Sequence, residues 1–253
     1  MKRVGNLEEE LLSMKNLELA HKRAKRNKTK QKKVIEEFER DFDALSPKIL
    51  NSIKRETFRS SKYKFRTIED KGKEREIAVL PYYPDRIVHW LVMNVTQKVF
   101  ERTYIRNTHA AIKGRGVQSA VGWLNKDIKK NPNLKWCLKI DIEKYFPNID
   151  KEVLKNLNRK VLKDKKTLWL LDTIIDDYPK SGIPIGNYTS QVFGNFYLSY
   201  FDHYVKEALK VKVYHRYMDD MVMLFKTKKE ADRALNEIRI YLKKELKLNI
   251  KDN

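Results

Sequence analysis

The stretch from Val213 to Phe225, VYHRYMDDMVMLF, constrains this chain more than any other. Two apolar runs rich in β-branched and aromatic residues flank adjacent acids, Asp219 and Asp220, so two short strands meet at a tight hairpin with carboxylates at or beside its tip. Side by side, two carboxylates repel and raise each other's pKa, and a shared divalent cation relieves that repulsion. Asp is also a favoured turn residue. Taken alone, the stretch is equally consistent with a metal site and with an ordinary exposed turn.

A second stretch supplies a third acid. In WCLKIDIEKYF, Trp136, Leu138 and Ile140 alternate with Cys137, Lys139 and Asp141, the period of a half-buried strand. Asp141 therefore ends a strand on the face opposite the apolar side chains, just ahead of Tyr145-Phe146. Asp150 is the better cap for the helix that begins at NIDKEVLKNL, which leaves Asp141 free for chemistry.

Charge narrows the class of partner. The chain has 55 Lys+Arg against 34 Asp+Glu, a net charge of +21. That excess favours a polyanion, nucleic acid ahead of a membrane surface. One cysteine, Cys137, excludes an intrachain disulfide and a multi-thiolate zinc site, and suits a reducing compartment. The start, MKRVGNLEEELL, lacks the apolar core of a signal peptide, and no run has the apolar length of a membrane span. The expected location is cytoplasmic, with no membrane partner.

Residues 1–60 read as a basic, helix-prone region with its densest block at His21 to Lys33, HKRAKRNKTKQKK. That block is either a solvated helix or disordered arm, or a contact strip for a phosphate backbone. Ser46 and Pro47 suggest the N-cap and first turn of a short helix. Residues 62–80 predict a β-hairpin turning at Lys71-Gly72, with Lys73 and Arg75 two apart on one face, a spacing able to grip a triphosphate. Asp85 is a plausible N-cap for a helix through Phe100. A Gly-rich basic loop at Gly114-Arg115-Gly116 feeds the next helix, and Arg115 there could pair with a phosphate. Pro184 and Gly186 mark a loop of small and amide groups before a helix whose Val192, Phe193, Phe196, Tyr197, Tyr200 and Tyr204 form a core stripe. Thr227 and Glu230 form a capping box for a helix with Ala231, Leu235, Ile238 and Leu242 inward, and LKLNIKDN begins another strand.

RYMDD between two strands, KIDIEKYF upstream and IGNYTSQ between them resemble, in this order, the palm motifs of reverse transcriptases, with the basic hairpin of the fingers first. The resemblance covers roughly Lys62 to Asn253. It implies an α+β fold of right-hand polymerase type, with a basic N-terminal region at 1–60, fingers at 61–135 and a palm at 136–253 whose antiparallel sheet packs on helices. The chain stops before the primer-gripping hairpin and the helical thumb of that family, so the thumb is expected to be absent. Ile185-Gly186 and Ser190-Gln191 stand where most reverse transcriptases have Gln before that Gly and Ser-Pro after it. This pattern is similar to the enzymes of diversity-generating retroelements, which copy a template RNA with errors concentrated at adenines.

The resemblance also implies roles. Asp141, Asp219 and Asp220, with the Ile142 carbonyl, would hold two Mg²⁺ ions, for which Mn²⁺ can substitute. Lys73 and Arg75 would neutralise the triphosphate of a dNTP. Phe146 matches the steric gate against a ribose 2′-hydroxyl, and Ile185, Gly186 and Gln191 would border the incoming nucleotide. Arg115, Tyr217 and Met218 would meet nucleic acid. Expected partners are template RNA, a primer, dNTPs and, for the retroelement family, a small basic helical accessory protein; a bacterial or phage origin is implied. The rival readings are a phage-defence or group II intron-like reverse transcriptase and, in another class, a non-catalytic RNA binder on a polymerase fold.

Overall fold

The computed structural model describes residues 2–70 and 72–251, except the side chain of Lys73. In chain order the elements are α1 (Glu8–Leu11), α2 (Met14–Ala24), α3 (Lys32–Arg40), α4 (Phe42–Lys54), β1 (Lys64–Asp70), β2 (Lys73–Val79), α5 (Ile87–Glu101), α6 (Val117–Lys130) and β3 (Trp136–Ile140). They continue with α7 (Tyr145–Asn148), α8 (Lys151–Val161), α9 (Lys165–Asp176), α10 (Tyr188–Tyr197), α11 (Ser199–His203), β4 (Val213–Tyr217), β5 (Asp220–Phe225) and α12 (Lys228–Leu246). The class is α+β, as expected. Contacts gather the chain into two compact units, residues 1–100 with 151–190 and residues 101–150 with 191–253.

In the first unit the N-terminal residues form helices, the helical alternative of the sequence reading. Val4 pairs with Leu162, and the Leu7 amide donates to Asp164 at 2.9 Å. Helix α4 begins at Phe42, earlier than Ser46-Pro47 suggests, and carries Pro47 inside it. Phe42 stacks edge-on against Phe38, an apolar contact that Pro47, lacking only one backbone donor, does not prevent. Asp85 does not cap α5; it is buried and accepts from the Ser61 amide at 2.8 Å. The β1–β2 hairpin runs in unbroken antiparallel register from Lys64↔Val79 to Asp70↔Lys73. The turn residue Lys71 lies outside the described residues, and Gly72 takes the positive φ of +73° that this turn requires.

The second unit holds a three-stranded antiparallel sheet in the order β3-β5-β4. Helix α12 packs on β3 and β5, and α6 lies along β4. Trp136 is 46% exposed and Ile140 only 1%, so β3 is half-buried only towards the end that leads into Asp141. β4 is covered on both faces, and its edge is blunted by Asn107–His109: the Arg216 amide donates to the Asn107 carbonyl and the His109 amide to the Arg216 carbonyl. The aromatic stripe is core at Phe193, Phe196 and Tyr197, but the helix breaks at Leu198 into α10 and α11. Thr227 caps α12 as expected, while Glu230 reaches back to the Lys226 amide and Ala234, not Leu235, completes the buried face. Among the described residues the final segment forms one antiparallel bridge, Ile142↔Ile250. Among the described residues no helix is long and apolar enough to cross a membrane.

Candidate active site

β4 and β5 pair from Val213↔Leu224 to Tyr217↔Asp220, which leaves Met218 and Asp219 as a two-residue turn. Met218 sits at φ +57°, a left-handed conformation that glycine adopts readily and methionine does not. A strained turn persists only where its surroundings hold it, and the holding group here is Arg216. Its guanidinium is fully buried, and its Nη1 donates to the Met218 carbonyl at 2.9 Å. The remaining donors go to Asp202 Oδ1 (2.7 Å), Asp202 Oδ2 (2.6 Å), Asn195 Oδ1 (2.9 Å) and the Asn195 carbonyl (3.1 Å). These bonds use all five N–H groups of the fork. Asp202, equally buried, also accepts from the Tyr214 hydroxyl at 2.6 Å and the Thr108 hydroxyl at 3.2 Å. Burial pulls the Arg216 pKa down, but the Asp202 carboxylate outweighs it and the net shift is upward. The cation is thus permanent.

The backbone positions of the three acids lie at this end of the sheet. β3 pairs with β5 up to Ile140↔Met221, so Asp141 follows directly on the last paired residue of β3 and Asp220 precedes its partner on β5. Opposed residues of an antiparallel pair project to the same face. Lys139, two residues back on that face, places its ammonium 3.9 Å from Asp220 Oδ1. Asp141 and Asp219 are half-buried and Asp220 is exposed. The Asp141 carbonyl accepts from the Lys251 amide at 2.9 Å, and the Glu143 amide donates to the Asn249 carbonyl at 3.0 Å. Those bonds make Ile142↔Ile250 a non-hydrogen-bonded pair, so the Ile142 carbonyl is directed away from that pairing.

Helix α10 shapes the rest of this end. The Tyr145 hydroxyl donates to the Gly194 carbonyl. Burial raises the Tyr145 pKa well above its usual value; Arg216 opposes this and Asp219 adds to it, so the charge of the turn reaches the ring. A Cβ on Gly194 would lie 3.2 Å from Met218 Sδ and 3.3 Å from Phe146 Cε1. A bare Cα at this point lets Phe146 and the turn share one edge of the helix. Tyr217 is 38% exposed beside them. Arg115 sits elsewhere in this unit, its Nη1 donating to the Arg106 and Thr108 carbonyls and its guanidinium over Trp123. Gln191 is exposed on α10.

Among the described residues no three Asp, Glu, His or Cys side chains form a ready cage for a metal ion. The donor set nevertheless fits Mg²⁺, which binds through one or two carboxylates completed by substrate phosphates and water rather than through an all-protein cage.

The first unit carries the remaining expected residues. The Ala78 amide donates to the Ile185 carbonyl at 2.9 Å, tying the loop to β2. Gly186 lies at φ +124°, and a Cβ there would meet the Ala78 carbonyl oxygen at 2.6 Å, so only glycine fits. Arg75 pairs with Asp70 at 3.0 Å, and both side chains are exposed. The side chain of Lys73 lies outside the described residues.

Sequence reasoning missed Asp202, Asn195, Arg216 and Gly194. The available signal was a charge inside an apolar run: Arg216 in β4 and Asp202 in the aromatic stripe each break an otherwise hydrophobic pattern, and buried charges come in pairs.

A model of the reverse transcriptase (RNA-dependent DNA polymerase) family matches residues 53–253, and the chain belongs to that family. Two Arabidopsis thaliana proteins are similar in sequence. Nuclear intron maturase 1, mitochondrial, is 28% identical over 106 residues, 41% of this chain and 14% of that protein. Nuclear intron maturase 4, mitochondrial, is 27% identical over 150 residues, 54% of this chain and 18% of that protein. Among solved structures, telomerase from Candida albicans in complex with a TWJ fragment of telomeric RNA aligns with a TM-score of 0.57 at 10% identity, covering 78% of this chain and 43% of that one. Apo telomerase from Candida tropicalis, truncated from its C-terminal domain, gives 0.52 at 14% identity, covering 74% and 48%. At these identities the likeness to telomerase is one of fold. The chain spans less than half the length of each of these relatives.

Proposed function

We propose that this chain extends a primer 3′-hydroxyl with dNTPs on an RNA template. The observation that supports the reading is the sheet order, which puts the end of β3, followed by Asp141, next to the start of β5, where Asp219 and Asp220 stand at the β4–β5 turn. Asp141 and Asp219, assisted by Asp220 and the Ile142 carbonyl, would hold two Mg²⁺ ions. Bound there, the ions lower the pKa of the primer hydroxyl and stabilise the leaving pyrophosphate of an in-line displacement. Arg216 fixes the turn that presents Asp219. Phe146, against Gly194, closes the edge where a ribose 2′-hydroxyl would intrude. Lys73 and Arg75 on β2 are the residues that, by the resemblance, would neutralise a triphosphate.

Within this activity we assign the chain to the diversity-generating retroelement group on the Ile185-Gly186 and Ser190-Gln191 loop alone. Ile185 replaces a polar group that would help position the nucleotide, which loosens base selection. Template RNA and a small basic accessory protein are the partners of this reading. The maturases among the relatives favour a second one, an RNA-binding protein of intron-maturase type.

Mg²⁺-dependent primer extension tests the proposal. Asp219→Ala should abolish extension while leaving RNA affinity within about two-fold, because a carboxylate makes no attractive contact with a phosphate backbone. Turnover near the native rate in Asp219→Ala eliminates the metal assignment. RNA binding without extension by the native chain selects the maturase-type reading.

A further inference from the structure

Helix α6, in the second unit, is folded inside out. None of its 14 residues is fully buried, and its apolar residues are the exposed ones. Val117 is 60% exposed, Val121 52% and Ile128 44%, with Leu124 half-buried between them. These four recur at i, i+4, i+7 and i+11, so they form one stripe about 16 Å long on the helix surface. A surface helix ordinarily turns such a stripe towards the core.

Here the polar side meets the sheet. Asp127 Oδ2 lies 2.9 Å from Nε2 of His215, a β4 residue that is 4% exposed. Ser119 Oγ lies 3.3 Å from Nδ1 of the fully buried His109, and Trp123 packs edge-on against the same imidazole at 5.1 Å. Ser119 also closes the start of the helix, accepting from the Gly116 amide at 2.9 Å and donating to the Gly116 carbonyl at 2.8 Å. Residues 119, 123 and 127 share a face about a third of a turn round from the stripe, at about 100° per residue. Rolling the stripe inward would break every one of these directional contacts, so its exposure is fixed by the packing.

Charge decides what the stripe can meet. Residues 117–125 carry no charge, whereas Lys113 stands just before them and Lys126, Lys129 and Lys130 just after, all exposed. Among the described residues none of these four lysines forms an ion pair, and Asp127, the single acid of α6, is engaged by His215. A second copy of α6 would set lysine against lysine, like end to like end in a parallel pair and Lys113 against the other three in an antiparallel one. A phosphate backbone would lay its charges along the uncharged middle turns as well as the ends. A helix lying in a lipid interface turns Trp and other large side chains outward, and in α6 the tryptophan is the residue turned inward.

We propose that α6 is the docking surface for an amphipathic helix of a partner protein, with apolar residues in its central turns and acidic residues at both ends. The apolar turns would cover Val117, Val121, Leu124 and Ile128, the spacing by which helices recognise one another's apolar faces. The acids would meet Lys113 at one end and Lys126, Lys129 and Lys130 at the other. Such a partner differs in charge from a small basic accessory protein. None of these residues belongs to the polymerase site, so docking and primer extension can be read apart.

The test uses the full chain and a fluorescein-labelled peptide of about eighteen residues, five turns of helix, followed by anisotropy. The peptide has leucines at i, i+4, i+7 and i+11 and glutamates at both ends; a second peptide has the same composition in an order that breaks the stripe. Val121→Ser/Ile128→Ser removes apolar contact and Lys126→Gln/Lys129→Gln removes charge at one end, with circular dichroism melts as the folding control. The native chain should bind the striped peptide and not the reordered one. The serine variant should weaken binding at least about ten-fold at every salt concentration. The glutamine variant should weaken it about three-fold at low salt, a difference that closes as salt rises. Both variants should extend primers at the rate of the native chain. Equal binding of the two peptides, no binding by the native chain, or undiminished binding by the folded serine variant overturns the proposal. Three other occupants have their own signatures in the serine variant, and each also overturns it. Loss of self-association in sedimentation marks a second copy, loss of affinity for single-stranded RNA marks nucleic acid, and loss of flotation with phosphatidylglycerol–phosphatidylcholine vesicles marks a lipid surface.

Discussion

Removing Asp202 should be among the most damaging single changes in this protein, although Asp202 touches no expected ligand. Asp202→Ala deletes both guanidinium contacts of Arg216 at 2.7 and 2.6 Å and the contacts to Tyr214 and Thr108. Arg216 would remain a cation at 0% exposure with only the neutral Asn195 and Met218 groups as partners. Breaking one side of a buried ion pair costs about 3–5 kcal/mol. For a chain of this size that corresponds to a fall in Tm of roughly 6–20 °C, read by calorimetry or circular dichroism. The double change Asp202→Leu/Arg216→Met removes both charges and should recover most of that loss, since an apolar pair of similar volume is often as stable as the ions it replaces. Primer extension should not recover, because nothing then holds the Met218 carbonyl and the left-handed turn relaxes. A loss below about 1 kcal/mol in Asp202→Ala would show the pair to be solvated, contrary to its burial. Native extension by the stable double variant would refute the positioning role of Arg216.

Three further outcomes are expected. Gly186→Ala must force a Cβ to within 2.6 Å of the Ala78 carbonyl oxygen at φ +124°, so urea unfolding should show a loss of about 1–3 kcal/mol, and a loss under about 0.5 kcal/mol contradicts the close approach. Acid should weaken the fold through its buried histidines: His89 has its pKa lowered to about 3 by burial and then by Arg86, against 6.5 when unfolded, so its contribution is complete above pH 6.5 and falls as pH drops. By pH 5 the loss from His89 is about 2 kcal/mol, with His109, lowered to about 4, acting in the same direction; a denaturant midpoint constant between pH 7 and pH 5 argues against both buried neutral rings. Ile185→Gln should lower misincorporation opposite template adenine in sequenced extension products, and an unchanged error spectrum removes Ile185 from base selection.

What could be read from the chain depended on whether a residue's partner lies along its own element. The alternation in β3, β4 and β5 has period two, and a one-residue slip would turn every apolar side chain outward, so their pairing and the acids at their ends were legible. Lys73 and Arg75 were read as a free basic pair, yet Arg75 turns to Asp70, five residues back across a hairpin whose register the sequence only implies. Asp85 looked like a helix cap because local spacing allowed it, but its partner, the Ser61 amide, comes from a segment with no pattern of its own. Cavities were least legible of all. Lys28, Arg66, Arg86 and His89 belong to separate stretches, and only folding brings them to one wall.

Strain and support at the turn can be connected through Gly194. A methionine at φ +57° keeps Asp219 at the tip only if the preceding carbonyl is held and the methionine side chain has somewhere to go. Arg216 answers the first need through Met218 O, and Gly194 answers the second by leaving Met218 Sδ and Phe146 room beside α10. The two supports converge on one helix, because Asn195, the next residue, gives Arg216 two of its five acceptors. Gly194-Asn195 is therefore a single device. Gly194→Ala should leave the Arg216 network bonded while a Cβ 3.2 Å from Met218 Sδ displaces the turn. Stability should change by less than about 1 kcal/mol if the flexible thioether yields, whereas primer extension should fall at least about ten-fold, since catalytic groups misplaced by about 1 Å lose far more than that. A variant that melts as the native chain and extends primers at the native rate would mean that the turn tolerates the added methyl, and that Met218 and Phe146 are not packed against this helix as the geometry requires.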